Sequence, residues 1–147
     1  MTCAFCEIIA GTRPAHVVLD DDMTIAFLDA RPVFKGHVLL APREHIETLL
    51  DLPGDQVGPF FLRAQRLARA VEDGLGAAGS FVAVNNTVSQ SVPHLHVHVV
   101  PRNHKDGLRG FFWPRTKYAS DVEAAGYASR LREALAAGRD KREAWTD

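Results

Sequence analysis

Residues 94–100 read HLHVHVV, with histidine at every second position and only leucine or valine between. Side chains on a β-strand alternate faces, so this period puts His94, His96 and His98 on one face. Leu95, Val97 and Val99 share the other, which has to pack against a core. The imidazoles therefore line a pocket or the edge of a cleft, with neighbours about 6.6 Å apart from the rise per residue. Three readings of the row stand open. It is a coincidental run on a polar face; it is a catalytic metal site, needing a further ligand and an open position for water; or one imidazole is a nucleophile that its neighbours orient and supply with protons.

The rest of the chain supplies a sheet for that strand to join. HVVLD (16–20) and TIAFLD (24–29) are short apolar runs separated by acidic residues, which predicts a hairpin. GHVLLAP (36–42) reads as a third strand, and EHIETLLDL (44–52) as a short helix. From Asp55 the period changes: Val57, Phe61, Ala64, Ala68, Val71 and Leu75 form one stripe along a helix, ended by Gly74, Gly76 and Gly79. SFVAVN (80–85) is a fourth strand and HLHVHVVP (94–101) a fifth. A last helix starts near Ser120, where Ser120 and Glu123 make a capping box, with a stripe of Ala124, Ala128, Leu131 and Leu135. This order predicts an α+β fold: a mainly antiparallel five-stranded sheet, one long helix and a C-terminal helix.

The length of 147 residues suits one domain, and 46% hydrophobic residues suffice for a core. A net charge of −1 argues against nucleic-acid or membrane-surface partners. No apolar run approaches the roughly 18 residues of a transmembrane helix, and MTCAFCEIIAG lacks the pattern of a signal peptide. The expected compartment is the cytoplasm. The only two cysteines, Cys3 and Cys6, form a C-x-x-C. Two thiols make no disulfide scaffold, which leaves redox chemistry, metal binding, or two unrelated thiols near a frayed terminus.

QSVPHLHVHVVPR (90–102) resembles the signature of the histidine triad (HIT) superfamily, in which three histidines alternate with hydrophobic residues. The resemblance extends through CAFCEIIAG, AFLDARPVFKGHVLLAPREHI and the long helix, covering about residues 3–115, with 116–147 as a helical extension of a single domain. It implies a HIT-like fold and a nucleotide hydrolase or transferase acting on a purine nucleoside phosphoramidate or a dinucleoside polyphosphate. It makes His96 the nucleophile, with His98 on the phosphate and its protons and His37 as the additional histidine of the neighbouring strand. Ser91 matches the hydroxyl that serves the leaving group and Gln90 the amide beside the phosphate. Asp29 matches the carboxylate for the ribose hydroxyls, while Phe5, Ile8 and Phe27 would form the slot for the base. Cys3, Cys6, His45 and His94 match the ligands of a zinc-binding branch. Two thiolates and two imidazoles complete a tetrahedron with no position for water, so that zinc would be structural, and no catalytic metal is required. A homodimer is expected from the resemblance, through the long helix and an adjoining strand edge.

The match is weakest at NNTVSQS (85–91), about two residues shorter than the family's N-x-G-x-x-A-G-Q-S and without glycine. Glycine there lets backbone N–H groups approach phosphate. Asn85 best matches the asparagine at the α-phosphate, with Asn86 a near rival. Trp113-Pro114 resembles a C-terminal pair of the Hint branch that reaches the other subunit's site. Arg109, Arg115 and Lys117 could bind further phosphates or be ordinary solvated charges. Two other functions stay open: a nucleotide-binding regulator that kept the fold without turnover, and a metal-dependent hydrolase with metal on His96.

Overall fold

The computed structural model describes residues 2–108 and 115–141. They fall in two compact units, one ending at Gly107 and the other starting at Leu108. The first holds the sheet. β1 (Val17–Asp20) and β2 (Thr24–Leu28) form the expected hairpin, whose turn is tied by Asp21 Oδ1 accepting the N–H groups of Met23 (3.0 Å) and Thr24 (2.8 Å). β3 (Val38–Pro42), β4 (Gly79–Val84) and β5 (Val97–Arg102) complete a five-stranded sheet of order β1-β2-β3-β5-β4, antiparallel at every pairing.

Alternation along the strands gives each face its own cover. Ala26, Val38, Leu40, Val97 and Val99 pack beneath α2 (Gly54–Leu75), as the valines behind the histidines require. Ile25, Phe27, Leu39 and Ala41 form the opposite face, closed in part by Phe5 of α1 (Ala4–Ala10). His98 lies opposite Leu39 in the β3–β5 register and so belongs to this second face. The core stripe of α2 is Phe60, Ala64, Leu67 and Val71. Ala64 and Val71 are as expected, but Phe60 and Leu67 take the centre while Val57, Phe61 and Ala68 flank it. The apolar arc of this helix is wide, so two adjacent stripes fit the period and only the sheet's position selects between them. Leu75, expected in the stripe, is 58% exposed.

Three other elements differ from expectation. The helix expected over 44–52 is a single 3₁₀ turn, Leu49–Asp51, capped by Thr48 and Asp51 and stopped before Pro53, which disfavours helical backbone at Leu52. α1 was not expected from sequence, because two turns are too short to show a period. β5 begins at Val97 rather than at residue 94, since pairing with β3 starts at Val97 opposite Leu40.

In the second unit, α3 (Asp121–Lys141) starts after Ser120, whose Oγ accepts the Glu123 N–H at 3.2 Å. The Glu123 carboxylate reaches back one residue further than a capping box requires, to the Ala119 N–H at 2.9 Å. Ala124 and Ala128 are half-buried, but Leu131 and Leu135 are exposed, so the expected stripe is not a covered face. Among the described residues, no helix is long and apolar enough to cross a membrane.

Candidate active site and metal centre

The histidines fall into two clusters that meet at one residue. His94, fully buried, donates its Nε2 proton to the Pro42 carbonyl at 2.7 Å. A carbonyl can only accept, so Nδ1 of this ring carries a lone pair. That nitrogen lies 3.5 Å from Cys3 Sγ and 3.6 Å from Cys6 Sγ, and His45 Nδ1 lies 3.3 Å from Cys6 Sγ. Cys3 caps α1 and Cys6 follows one turn later, so both thiols face the same way. His45 follows β3 and His94 precedes β5.

All four donor atoms lie within 4.8 Å of one another. Tetrahedral zinc with Zn–S about 2.3 Å and Zn–N about 2.0 Å puts sulfur and nitrogen about 3.5 Å apart. The donor set therefore fits a closed Cys₂His₂ ion by distance and by chemistry. Burial first, then the neighbouring Cys3, pushes the Cys6 thiol up.

His96, also buried, donates its Nδ1 proton to the backbone carbonyl of His94 at 2.7 Å. In the neutral ring this bond leaves Nε2 with the lone pair, the form of imidazole that can attack. The Phe5 ring meets it edge-on, with centroids 4.9 Å apart and planes at 83°. The His98 ring also lies 4.9 Å away, with planes at 64°.

His98 takes its tautomer from a chain of donors. The Val33 N–H donates to His37 Nδ1 at 3.1 Å, so the His37 proton is on Nε2. That proton goes to His98 Nδ1 at 3.0 Å, which leaves the His98 proton on Nε2. Burial first, then neighbouring His96 and His37, push the His98 pKa down to about 4. Burial also lowers His37, although Asp29, with Oδ2 3.7 Å from His37 Nδ1, pulls the other way. Both shifts favour the neutral rings, and His98 is a hydrogen-bond donor through Nε2.

Asp29 Oδ1 accepts the Arg31 N–H at 2.9 Å, and the Asp29 N–H donates to the His37 carbonyl at 2.9 Å. The carboxylate is thus fixed at the end of β2 beside His37. Phe5, Phe27 and Ile8 belong to one apolar cluster. Phe5 and Phe27 are buried, while Ile8 is half-exposed.

The loop before the histidines is stapled to residues 47–49. Asn86 Oδ1 accepts the Leu49 N–H at 3.0 Å, which leaves half-buried Asn85 as the asparagine nearer the sheet. Gln90 accepts the Thr87 N–H at 3.0 Å and donates to the Glu47 carbonyl at 2.6 Å. Its amide thus orders the loop at both ends. Ser91 is exposed. In place of glycines, Thr87 (φ 70°) and Ser89 (φ 62°) take left-handed backbone. Thr87 is the centre of a γ-turn closed by the Val88 N–H on the Asn86 carbonyl at 2.8 Å.

The groups that sequence reasoning missed are the carbonyls of Pro42, His94 and Glu47 and the N–H of Val33. Every residue carries such groups, so none leaves a side-chain signal. Arg109, Trp113 and Pro114 lie outside the described residues, and Arg115 and Lys117 are exposed in the second unit. Among the described residues, the candidate metal groups are Cys3, Cys6, His45 and His94, and Asp29, His37 and His98; neither includes His96.

Comparison with known proteins agrees with this geometry. The HIT domain model matches residues 10–105. A HIT-like protein of Mycobacterium tuberculosis is 37% identical over 138 residues, covering 92% of this chain and 94% of that protein. A solved protein of Streptococcus mutans superposes with a TM-score of 0.80 at 32% identity, covering 90% of this chain and 85% of that one. A zinc-bound histidine triad family protein of Mycobacterium smegmatis gives a TM-score of 0.70 at 34% identity, covering 91% of this chain and 98% of that one. Two more distant relatives carry named activities. The adenylylsulfatase of Arabidopsis thaliana is 32% identical over 108 residues, 72% of this chain and 55% of that protein. The adenosine 5'-monophosphoramidase of Schizosaccharomyces pombe is 29% identical over 116 residues, 78% of this chain and 84% of that protein. With the triad, its buried carbonyl partners and these matches in agreement, the chain belongs to the HIT domain family.

Proposed function

We propose that the chain is a nucleotide hydrolase or transferase that cleaves a purine nucleoside phosphoramidate or a dinucleoside polyphosphate at the α-phosphate through a nucleotidyl-His96 intermediate. One observation carries this reading: the His94 carbonyl holds the Nδ1 proton of His96, leaving Nε2 as a nucleophile beside the neutral donor His98. Nε2 of His96 forms a bond to phosphorus as the bond to the leaving group breaks. The His98 Nε2–H and the Ser91 hydroxyl donate hydrogen bonds to the leaving atom, which takes its proton from water as it departs. The hydroxide so formed then attacks the same phosphorus, and the P–N bond breaks, returning its electron pair to His96 Nε2 and releasing a nucleoside monophosphate.

Asp29 would hold the ribose hydroxyls and Asn85 the phosphate, with Ile8, Phe5 and Phe27 against the base. Gln90 would act by ordering the loop that presents Ser91. Cys3, Cys6, His45 and His94 would bind a structural zinc, which when bound cross-links α1 to the sheet. The attacking group is the imidazole itself, so the scheme needs no catalytic metal. The activities named for the Arabidopsis and fission-yeast relatives support an adenylate group as the part recognised. Cysteines kept reduced as metal ligands would suit a reducing compartment such as the cytoplasm. A homodimer through α2 and the edge strand β4, where Leu62 and Val82 are exposed, would scatter light at about twice the 16.2 kDa chain mass.

The test is turnover of adenosine 5'-phosphoramidate, adenosine 5'-phosphosulfate and diadenosine polyphosphates. At least one should be cleaved to AMP, with His96→Ala slower by about 10³-fold or more. Unchanged turnover in His96→Ala would reject the nucleophile. The strained, glycine-free loop supports a second reading, a regulator that binds nucleotide without cleaving it. Calorimetric binding of AMP with no turnover of any of these substrates would favour that reading.

A further inference from the structure

We infer that Cys3, Cys6 and His45 are positioning residues for the nucleophile: by holding the ring of His94 they fix the His94 carbonyl that takes the Nδ1 proton of His96. The inference rests on the metal reading above and extends it, because a purely structural ion would do no more than join α1 to the sheet.

The argument turns on what holds that carbonyl in place. Strand pairing does not, since the β3–β5 ladder begins at Val97 and His94 lies before it. The bonds at His94 are instead its own: the ring Nε2–H to the Pro42 carbonyl (2.7 Å), the backbone N–H to the Val92 carbonyl (2.8 Å), and Nδ1 facing the two thiols. Its carbonyl then accepts the His96 proton at 2.7 Å. The next residue is held from the same quarter, because the Leu95 N–H donates to the carbonyl of Ile46, the neighbour of His45, at 2.6 Å. Glu47 and Leu49 continue that segment into the Ser91 loop through Gln90 and Asn86. Ligation at His45 and His94 thus braces two adjoining segments that place the nucleophile and the leaving-group hydroxyl. If the His94 carbonyl shifts, the two nitrogens of His96 compete for one proton and Nε2 is protonated in part of the population.

Long-range ¹H–¹⁵N spectra of the histidine rings read this directly, because protonated and unprotonated ring nitrogens have distinct shifts. Metal-loaded protein, the same protein after chelation, and Cys6→Ser should be compared, each checked for fold by circular dichroism. In loaded protein His96 should show only the Nδ1–H form. In the metal-free forms it should show both tautomers, with kcat lower by about tenfold or more and KM within about twofold, since Asp29 lies on another element. Folded, metal-free protein that keeps only the Nδ1–H form and an unchanged kcat would overturn the inference while leaving the metal reading intact. Protein that takes up no zinc would overturn both. Should the metal-free forms not fold, cadmium-substituted wild type replaces them. A larger ion should shift the His96 resonances away from those of the zinc form, and identical spectra would overturn the inference.

Discussion

A histidine attacks phosphorus only through a nitrogen without a proton, so the hydrogen-bond partners of each ring decide its part. The three triad rings, equivalent in the sequence pattern, have three different partners: the Pro42 carbonyl for His94, the His94 carbonyl for His96, and His37 for His98. The assignments have a consequence in acid. The folded-state pKa of His98, about 4, lies below the ordinary value of 6.5, so between those limits the unfolded chain binds the extra proton. The stability held by neutral His98 is complete above about pH 6.5 and falls as pH drops towards 4. Urea titrations at pH 7 and pH 4.5 should show that loss, with a smaller loss in His98→Gln; an equal loss in that variant would assign the effect to other groups. The His-x-His-x-His row made a shared histidine face legible in the sequence, and the resemblance added roles. The tautomers were not legible, because they depend on backbone groups of Val33, Pro42 and His94 that only folding brings to the rings.

At the scale of elements, the strands read well because alternation, glycine and proline mark them directly. Elements whose limits depend on neighbours read less well: α1 is too short for a period, and the stripe of α2 is chosen by the sheet beneath it. The docking of the first hairpin was also hidden from sequence. Burial alone would raise the pKa of Asp21, but the Arg63 guanidinium at 2.7 Å and the Thr24 and Met23 N–H groups outweigh it and hold the carboxyl well below its usual range. This fixes the β1–β2 turn to α2, and Asp21→Ala should cost about 1–2 kcal/mol by chemical denaturation at pH 7. A change within error would show the pair to be an ordinary surface contact. Gly36 is required by φ 96°, and an added Cβ would clash with Leu75 Cδ1. The exposed end of Leu75 can move, so the backbone dominates, and Gly36→Ala should lower stability by about 1–2 kcal/mol. Thr87→Gly should behave in the opposite way. It relieves left-handed backbone at a β-branched residue, so its melting temperature should not fall below that of the wild type.

For the whole molecule, an ion on Cys3, Cys6, His45 and His94 would brace the N-terminus against the segment that carries the proposed nucleophile. Purified protein should contain about one zinc per chain by elemental analysis, and Cys6→Ser should lose it together with several degrees of melting temperature. Metal-free wild type of equal stability would contradict the bracing. The single-domain reading comes from chain length as well as resemblance, and the homodimer from resemblance alone, because neither strand alternation nor a helix stripe says what covers an outer face. The central claim is covalent chemistry at His96. Its most direct measurement is the mass of the protein trapped during turnover of an adenylated substrate, denatured in alkali to preserve a P–N bond. The account predicts a fraction heavier by one adenylyl group, with the label on the peptide at His96 and absent from His96→Ala. Turnover with no adduct at any time, or with the label on another residue, would contradict it.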